Sequence, residues 1–400
     1  MLAAALIFLG TYLVLAVGRL PGFRVDRTGA AIIGAGLMIA FNVLTLEEAY
    51  AAIDHNTIML LFGMMIVVAN LRLSGFFAGV AEWVVGHAHH RLTLLAAIVL
   101  VSGVFSAFFV NDTMCLVLTP LVLEIVLALG RNPIPYLLAV AMASNIGSVA
   151  TITGNPQNMM IGIFSGIPYR QFAATLAPVG AAGLILAFVM IAIVYRKEFG
   201  RSESVVVELR RVRINRVLMW KSLIASGVMI VFFFMGWPIA KVAIVAGAWL
   251  LITRRVKPEK VYHEIDFSLL VMFTGLFIVI AGIEKTPLPS NALALVSGYG
   301  LDRPAVLSAV AAALSNLVSN VPAVLLFKPL VPHLADPNRA WLILAMASTL
   351  AGNLTILGSV ANLIMIQRAK RYVTISFWEY FKVGLPLTVV TIAVGVWMLH

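Results

Sequence analysis

The sequence predicts an all-α polytopic membrane protein of two inverted repeats, each with five transmembrane helices, a re-entrant hairpin and an interrupted helix. Three observations carry this prediction. The chain is 62% hydrophobic and 11% charged, with a mean hydropathy of +1.02, which leaves no soluble reading. Polar, Gly-rich motifs recur half a chain apart. Each half holds an odd number of apolar spans, which turns the second half over relative to the first.

The repeat is explicit in the residues. Phe105 to Met114 is answered by Leu314 to Ala323, and Ala-Met-Ala-Ser at 141–144 by the same four residues at 345–348. Thr151, Gly154 and Asn158 are answered by Thr355, Gly358 and Asn362, so the copies lie 204 to 212 positions apart.

At about 20 residues per crossing, spans fall at roughly 2–18, 29–45, 57–73, 135–167 (interrupted) and 171–195 in the first half. The second half repeats them at roughly 217–235, 239–253, 266–284, 340–366 (interrupted) and 379–399. The N-terminal run lacks a basic leader and is followed by Arg19, Arg24 and Arg27, so it reads as a span rather than a cleaved signal. The net charge of +11 sits in short loops and reports topology, not nucleic-acid binding. Basic loops at 19–27, 196–216, 254–260 and 368–371 thread to one side, the cytoplasm of a cytoplasmic (inner) membrane. Both termini then lie outside. Asp54 and Asp266 precede matching spans on opposite sides, as inverted copies require. The polar stretch at 201–215 reads as a cytoplasmic linker between repeats 1–200 and 216–400.

Residues 92–130 and 304–333 each hold two apolar arms around a polar tip. We expect re-entrant hairpins with short arms, because polar backbone at membrane depth is tolerated only where it lines a protein cavity. The tips supply Asn111, Asp112, Thr113, Ser319 and Asn320 as candidate substrate- and ion-binding residues. The first helix interruption supplies Asn145, Thr151, Thr153, Gly154, Asn155 and Asn158; the second supplies Asn353, Thr355, Gly358 and Ser359. Pro156 removes a backbone donor and Gly154 permits unwinding. Freed carbonyls with Asn and Thr oxygens suit a small hard cation, with Na⁺ placed at Asn111, Asp112, Asn155 and Asn320, whereas half-helix N-termini suit an anion. A carboxylate at a membrane-embedded tip marks an ion pathway, and the repeat counterpart of Asp112 is Val321. The plainer role for Asp112 is an N-cap.

Elsewhere, His87, His89 and His90 are spaced for an interfacial turn rather than one metal ion. Glu124 faces either the cavity or a cytoplasmic vestibule, and Glu82, Glu284 and Lys285 mark span ends. Cys115 is the only cysteine, so there is neither an intramolecular disulfide nor a cysteine metal site.

Val110-Asn111-Asp112-Thr113, then Leu116 to Pro120, then Thr153-Gly154-Asn155-Pro156-Gln157-Asn158, resemble the ion transporter superfamily over the whole chain. That group holds arsenite permeases, citrate–metal transporters, one type of sodium/proton antiporter and the divalent-anion/sodium symporters. The Asn-Asp tip is most similar to the arsenite permease branch, and Ser319-Asn320 is similar to symporter tips. Val321, Pro322 and Val110 depart from the symporter pattern, which carries Thr, Thr and Ser. The resemblance implies a tip role for Asn111, Thr113, Ser319 and Asn320. It also implies a helix-break role for Thr151, Gly154, Asn155, Thr355 and Gly358, and a homodimer whose transport domain slides against a scaffold.

The function expected is secondary active transport of a small anion or oxyanion, arsenite-like or carboxylate, coupled to H⁺ or Na⁺ and without a cofactor. With one cysteine, an arsenite-like substrate has to be recognised by hydrogen bonds. The alternative is Na⁺/H⁺ antiport without an anion. A passive channel is told apart by its inability to drive uphill flux. No paired carboxylates, His-rich metal motif or nucleophile elbow supports an enzyme.

Overall fold

The computed structural model describes residues 2–18, 23–87, 90–199, 214–288 and 300–400. The linker expected at 201–215 lies mostly outside these residues and His89 wholly so, as does the side chain of His87. Seven of the described helices are long and apolar enough to cross a membrane, and four shorter apolar ones accompany them.

The first half runs α1 (Leu2–Val17), α2 (Arg27–Ala40), α3 (Leu46–Ala52), α4 (His55–Leu73), α5 (Phe76–His87), α6 (Arg91–Phe109), α7 (Asn111–Ala128), α8 (Pro133–Ser148), α9 (Pro156–Ser165), α10 (Tyr169–Val194) and α11 (Arg196–Phe199). The second runs α12 (Arg216–Phe234), α13 (Ile239–Leu251), α14 (Pro258–Tyr262), α15 (Phe267–Glu284), α16 (Pro304–Val318), α17 (Asn320–Phe327), α18 (Pro337–Ala351), α19 (Val360–Ala369) and α20 (Phe377–Met398).

Local chemistry sets the starts. Asp54 Oδ1 accepts from Thr57 N at 2.7 Å and Asp266 Oδ1 from Leu269 N at 2.9 Å, capping α4 and its counterpart α15 alike. Pro occupies the first turn of α8, α9, α16 and α18, where its missing N–H costs nothing. The paired long helices α10 and α20 each carry an interior proline, Pro178 and Pro386, and pack on one another.

Two helices form the centre. Every residue of α8 from Pro135 to Ser148 is buried, as is every residue of α18 from Ala340 to Ala351. Such all-round burial selects small side chains, here Ala139, Ala141, Ala143, Ser144 and Gly147 against Ala345, Ala347, Ser348 and Ala351. Hairpin arm α6 lies along α8, and α16 lies along α18.

The halves interlock reciprocally. Helix α4 packs on α13 and α15 on α2; α7 packs on α19 and α17 on α9. A Cβ on Gly63 would lie 2.5 Å from the Ala243 carbonyl carbon, and one on Gly275 would lie 2.7 Å from that of Ala31. These two contacts use the same two repeat positions with the halves exchanged.

One expectation fails. The first hairpin's arms are not short: α6 has 19 residues and α7 has 18, and only the second hairpin, with arms of 15 and 8 residues, fits that premise. Apolar length alone does not separate a long arm from a crossing, so arm length was the wrong criterion. Glu124 is exposed on α7 and borders none of the cavities described below.

The reciprocal glycine contacts make a symmetric prediction. Gly63→Leu and Gly275→Leu should each lower the detergent-solubilised protein's stability by about 1–3 kcal/mol, the usual cost of overpacking. Gly36→Leu, where a Cβ meets nothing within 4 Å, should change it little. Thermal unfolding followed by tryptophan fluorescence checks this; an unaffected Gly275→Leu would remove the proposed symmetry of the contact.

Candidate functional site

Each hairpin turns in a single residue. Val110, between α6 and α7, has φ 59°, and Ser319, between α16 and α17, has φ 79°. Neither is glycine, and Val110 is β-branched, so both tips hold backbone strain that their surroundings must sustain. The two residues occupy equivalent positions, and the Asn after each, Asn111 and Asn320, opens the second arm.

The helix breaks meet these tips. Between α8 and α9 the chain passes through a short 3₁₀ turn at Ile152–Gly154, and between α18 and α19 through one at Ile356–Gly358. A Cβ on Gly154 would stand 2.1 Å from Ser148 O, and one on Gly358 would stand 2.7 Å from Asn316 Oδ1. Close approach to backbone requires glycine at 154, whereas at 358 a Cβ would have to displace the Asn316 side chain.

Freed carbonyls at the breaks are taken up by side chains. Asn158 Nδ2 donates to Ser148 O and Thr151 O, at 3.0 and 3.1 Å. Asn362, 204 positions on, donates to Gly352 O and Thr355 O, at 2.7 and 3.0 Å. Asn155 Nδ2 lies within reach of Ser148 Oγ at 2.8 Å, Asn353 Nδ2 donates to Met142 O at 3.2 Å, and Asn316 Nδ2 to Ala351 O at 2.9 Å. Thr151 donates to Ala107 O.

Asn145 ties the network together across the halves. Its Nδ2 donates to Asn353 Oδ1 (2.9 Å) and Asn362 Oδ1 (3.0 Å), while its Oδ1 accepts from Asn111 Nδ2 (2.9 Å) and Ser359 Oγ (3.0 Å). All four hydrogen-bonding positions of one buried amide are used. Thr349, its repeat counterpart, does the reciprocal work: its Oγ1 accepts from Asn155 Nδ2 at 3.2 Å and Gln157 Nε2 at 3.1 Å and donates to Asn158 Oδ1 at 3.4 Å.

In front of the network is a cavity of about 180 Å³. The N-terminal residues of four helices line it: Asn111 and Asp112 of α7, Pro156 and Gln157 of α9, Asn320 and Val321 of α17, and Val360 of α19 beside its cap Ser359. Arg27, Thr28, Asp266 and Ser268 close it off. Asn111 Oδ1 is buried and has no partner, and Asn320 Oδ1 accepts from Ser315 Oγ at 2.5 Å. Arg27 gives Nε to Leu15 O at 3.1 Å.

Of the predicted residues, Asn111, Asp112, Ser319, Asn320 and Ser359 border this cavity, and Thr113 borders a smaller one beside it. Asn145, Asn158 and Asn353 stand behind it in the network, with Gly154 and Gly358. Thr153 pairs with the Tyr169 hydroxyl at 2.8 Å, and Thr355 with Asn316 Oδ1 at 3.3 Å. Asn155 is not at the cavity wall, because its Oδ1 caps α9 by accepting from Asn158 N at 2.8 Å and its Nδ2 is committed to Ser148 and Thr349. It therefore drops out of the Na⁺ set. Asp112 is not an N-cap: Val110 holds that position and Asp112 sits in the first turn. Sequence reasoning missed Arg27, Gln157, Asp266 and Thr349. The charges at 27 and 266 were visible as span-end markers, and Thr349 was hidden because its counterpart is Asn.

Long apolar helices packed as two interlocked halves around an internal cavity make a multi-pass membrane protein. Residues 12–351 match the family described as CitMHS, citrate transporter, and the chain belongs to that family. It is a secondary transporter within the ion transporter superfamily, not an enzyme. It is 31% identical to the silicon efflux transporter LSI3 of Oryza sativa subsp. japonica, covering 97% of this chain and 95% of the relative. A Dictyostelium discoideum protein designated transporter arsB is 23% identical, over 93% of this chain and 87% of its own. The crystal structure of the Alcanivorax borkumensis YdaH transporter superposes with a TM-score of 0.61 at 14% identity, covering 100% of this chain and 96% of that one. That likeness concerns the fold.

The network predicts a stability hierarchy. Asn145→Ala leaves four buried groups short of a partner and should cost about 3 kcal/mol or more, whereas Thr355→Ala, which removes one bond, should cost about 1 kcal/mol. Thermal melts in detergent check this, and equal melting temperatures for the two variants would contradict a hub at Asn145.

Proposed function

We propose that this protein carries a small anion or oxyanion across the cytoplasmic membrane, coupled to H⁺ or Na⁺, with the cavity between the two tips as its substrate site. The observation that carries this is polarity of backbone. Four helix N-termini border one cavity, while the neighbouring carbonyl ends are occupied by Asn, Ser and Thr side chains. The positive ends of four helix dipoles, together with Arg27, face the cavity and offset the carboxylates of Asp112 and Asp266 on the same wall, which lets a small anion enter. A cavity of about 180 Å³ suits a small tetrahedral or carboxylate species; drug-sized ligands take roughly 300–1,000 Å³. The rice relative is named for silicon efflux and the family for citrate transport, and a small solute is common to both names. With Cys115 alone and buried, recognition proceeds by hydrogen bonds.

Transport then follows from two inverted repeats of five crossings each, about 1–200 and 216–400, with basic loops cytoplasmic and the hairpins re-entrant. The register of α8 supports the re-entrant reading. It starts beside the base of the first hairpin, follows α6, and meets the tip at Asn145, yet the chain needs α9 to finish the crossing. Both tips therefore lie part-way through the helix layer. Exchange of the two halves' conformations opens the cavity to each side in turn, in a homodimer whose transport domain moves as an elevator.

Cation/proton exchange without an anion is the second reading, favoured by the placement of Asp112 and Asp266 on the cavity wall. Proteoliposomes with an imposed pH or Na⁺ gradient decide. Uphill uptake of an oxyanion or carboxylate is expected; mere equilibration means a channel, and gradient dissipation with every anion omitted means the second reading. Asn111→Ala and Asn320→Ala should each weaken ligand-induced thermal stabilisation by about 1–3 kcal/mol. A variant that melts lower but keeps its full ligand shift removes that Asn from the site.

A further inference from the structure

On the outer surface of the second half, a groove of about 500 Å³ runs between α12 and α13. Its walls are apolar, with Val228 and Phe232 from α12 and Val242 and Val245 from α13. Both of its ends are built. At one, the turn at Gly236, with φ 83°, folds Trp237 back against Phe232, the ring centroids 5.1 Å apart. At the other, Lys221 Nζ stands 4.9 Å over the Trp249 ring and donates to Trp249 O and Ile252 O, at 2.8 and 2.5 Å. The stretch of α13 between these ends, from Lys241 to Trp249, is about 12 Å long at 1.5 Å per residue.

Lys241 is the charged residue that lines this groove, and it sits in the first turn of α13 beside Trp237. Among the described residues it makes neither a hydrogen bond nor an ion pair. A lysine on an apolar span lays its stem along the hydrocarbon and lifts its ammonium to the headgroup level, where tryptophan also collects. The groove thus has a basic mouth, an apolar length and a closed far end. Because α13 leads into the basic loop at 254–260, the mouth lies at the opposite face of the membrane from that loop.

We propose that this groove binds an acyl chain of an anionic phospholipid whose phosphate is held by Lys241. Only an amphiphile answers both the apolar walls and the unpaired ammonium, and a net negative headgroup answers it better than a zwitterionic one, whose own cation would face Lys241. A second copy of the chain fits less well. A helix is about 10–12 Å across and overfills the groove, and a two-fold contact through it would bring two copies of Lys241 together. A bound chain would tie α12 to α13, the helix that packs on α4 through the Gly63 and Ala243 contact, so the lipid should stabilise the interlock of the halves.

The test is melting of the full-length protein in uncharged detergent with added dioleoylphosphatidylglycerol or dioleoylphosphatidylcholine. Wild type should gain about 2–4 °C more from the glycerol lipid. Lys241→Gln should lose that excess and Lys241→Arg should keep it. Val245→Trp, which fills the groove, should lose it too, whereas Lys257→Gln, outside the groove, should keep it. Dihexanoylphosphatidylglycerol, with the same headgroup and too little chain, should give no excess. Equal gains from the two long-chain lipids overturn the proposal, as does a full excess in Lys241→Gln. An equal excess from the short-chain lipid means a headgroup site alone and removes the acyl-chain assignment. A Val245→Trp variant that forms a smaller oligomer by light scattering while keeping its lipid excess assigns the groove to a second copy and overturns the proposal. None of these outcomes depends on the substrate of the central cavity.

Discussion

One buried side chain organises the rest of this molecule. Asn145 spends both amide hydrogens and both carbonyl lone pairs on partners from one hairpin tip and the opposite helix break. In a low-dielectric interior each of those partners would be costly if left alone, so the tip and the break are fixed relative to each other. Asn158, Asn362 and their neighbours absorb the broken helices' carbonyls, while Asn155 Oδ1 and Ser359 Oγ cap the amides of Asn158 and Ala361.

The frame is symmetric and the chemistry is not. Gly63 against Ala243 and Gly275 against Ala31 repeat one contact with the halves exchanged, as do the carbonyl clamps of Asn158 and Asn362. Within that frame Asn145 is answered by Thr349, Asp112 by Val321 and Pro156 by Val360. Equivalent positions keep the backbone path, and the differing side chains make one cavity with a single chemical character. The strained turns at Val110 and Ser319 recur at matched positions, so the strain belongs to the shared frame rather than to the substrate chemistry of either half.

Much of the frame was legible in the residues. The repeat register, both helix breaks and the polar tips follow from Gly, Pro and Asn interrupting apolar runs, and Asp54 and Asp266 marked matching helix starts. Side-chain direction was not legible. Asn155 reads as a ligand and serves as a cap, while Asn145 reads as one more break residue and saturates four partners. Arg27 and Asp266 lie far from the tips in sequence, and only the crossing of α2 and α15 brings them to the cavity. The lengths of α6 and α7 were misjudged because a buried hairpin arm and a membrane crossing carry the same apolar signal.

The central claim is that a small anion binds where the four helix N-termini meet. Crystals grown with selenate, with the selenium located by its anomalous scattering, test this most directly. The account predicts a peak between Asn111 and Asn320, within hydrogen-bonding reach of the first turns of α9 and α19. A peak elsewhere, such as the apolar groove between α12 and α13 beside Trp237 and Trp249, or a cavity without anomalous density at saturating selenate, would contradict it.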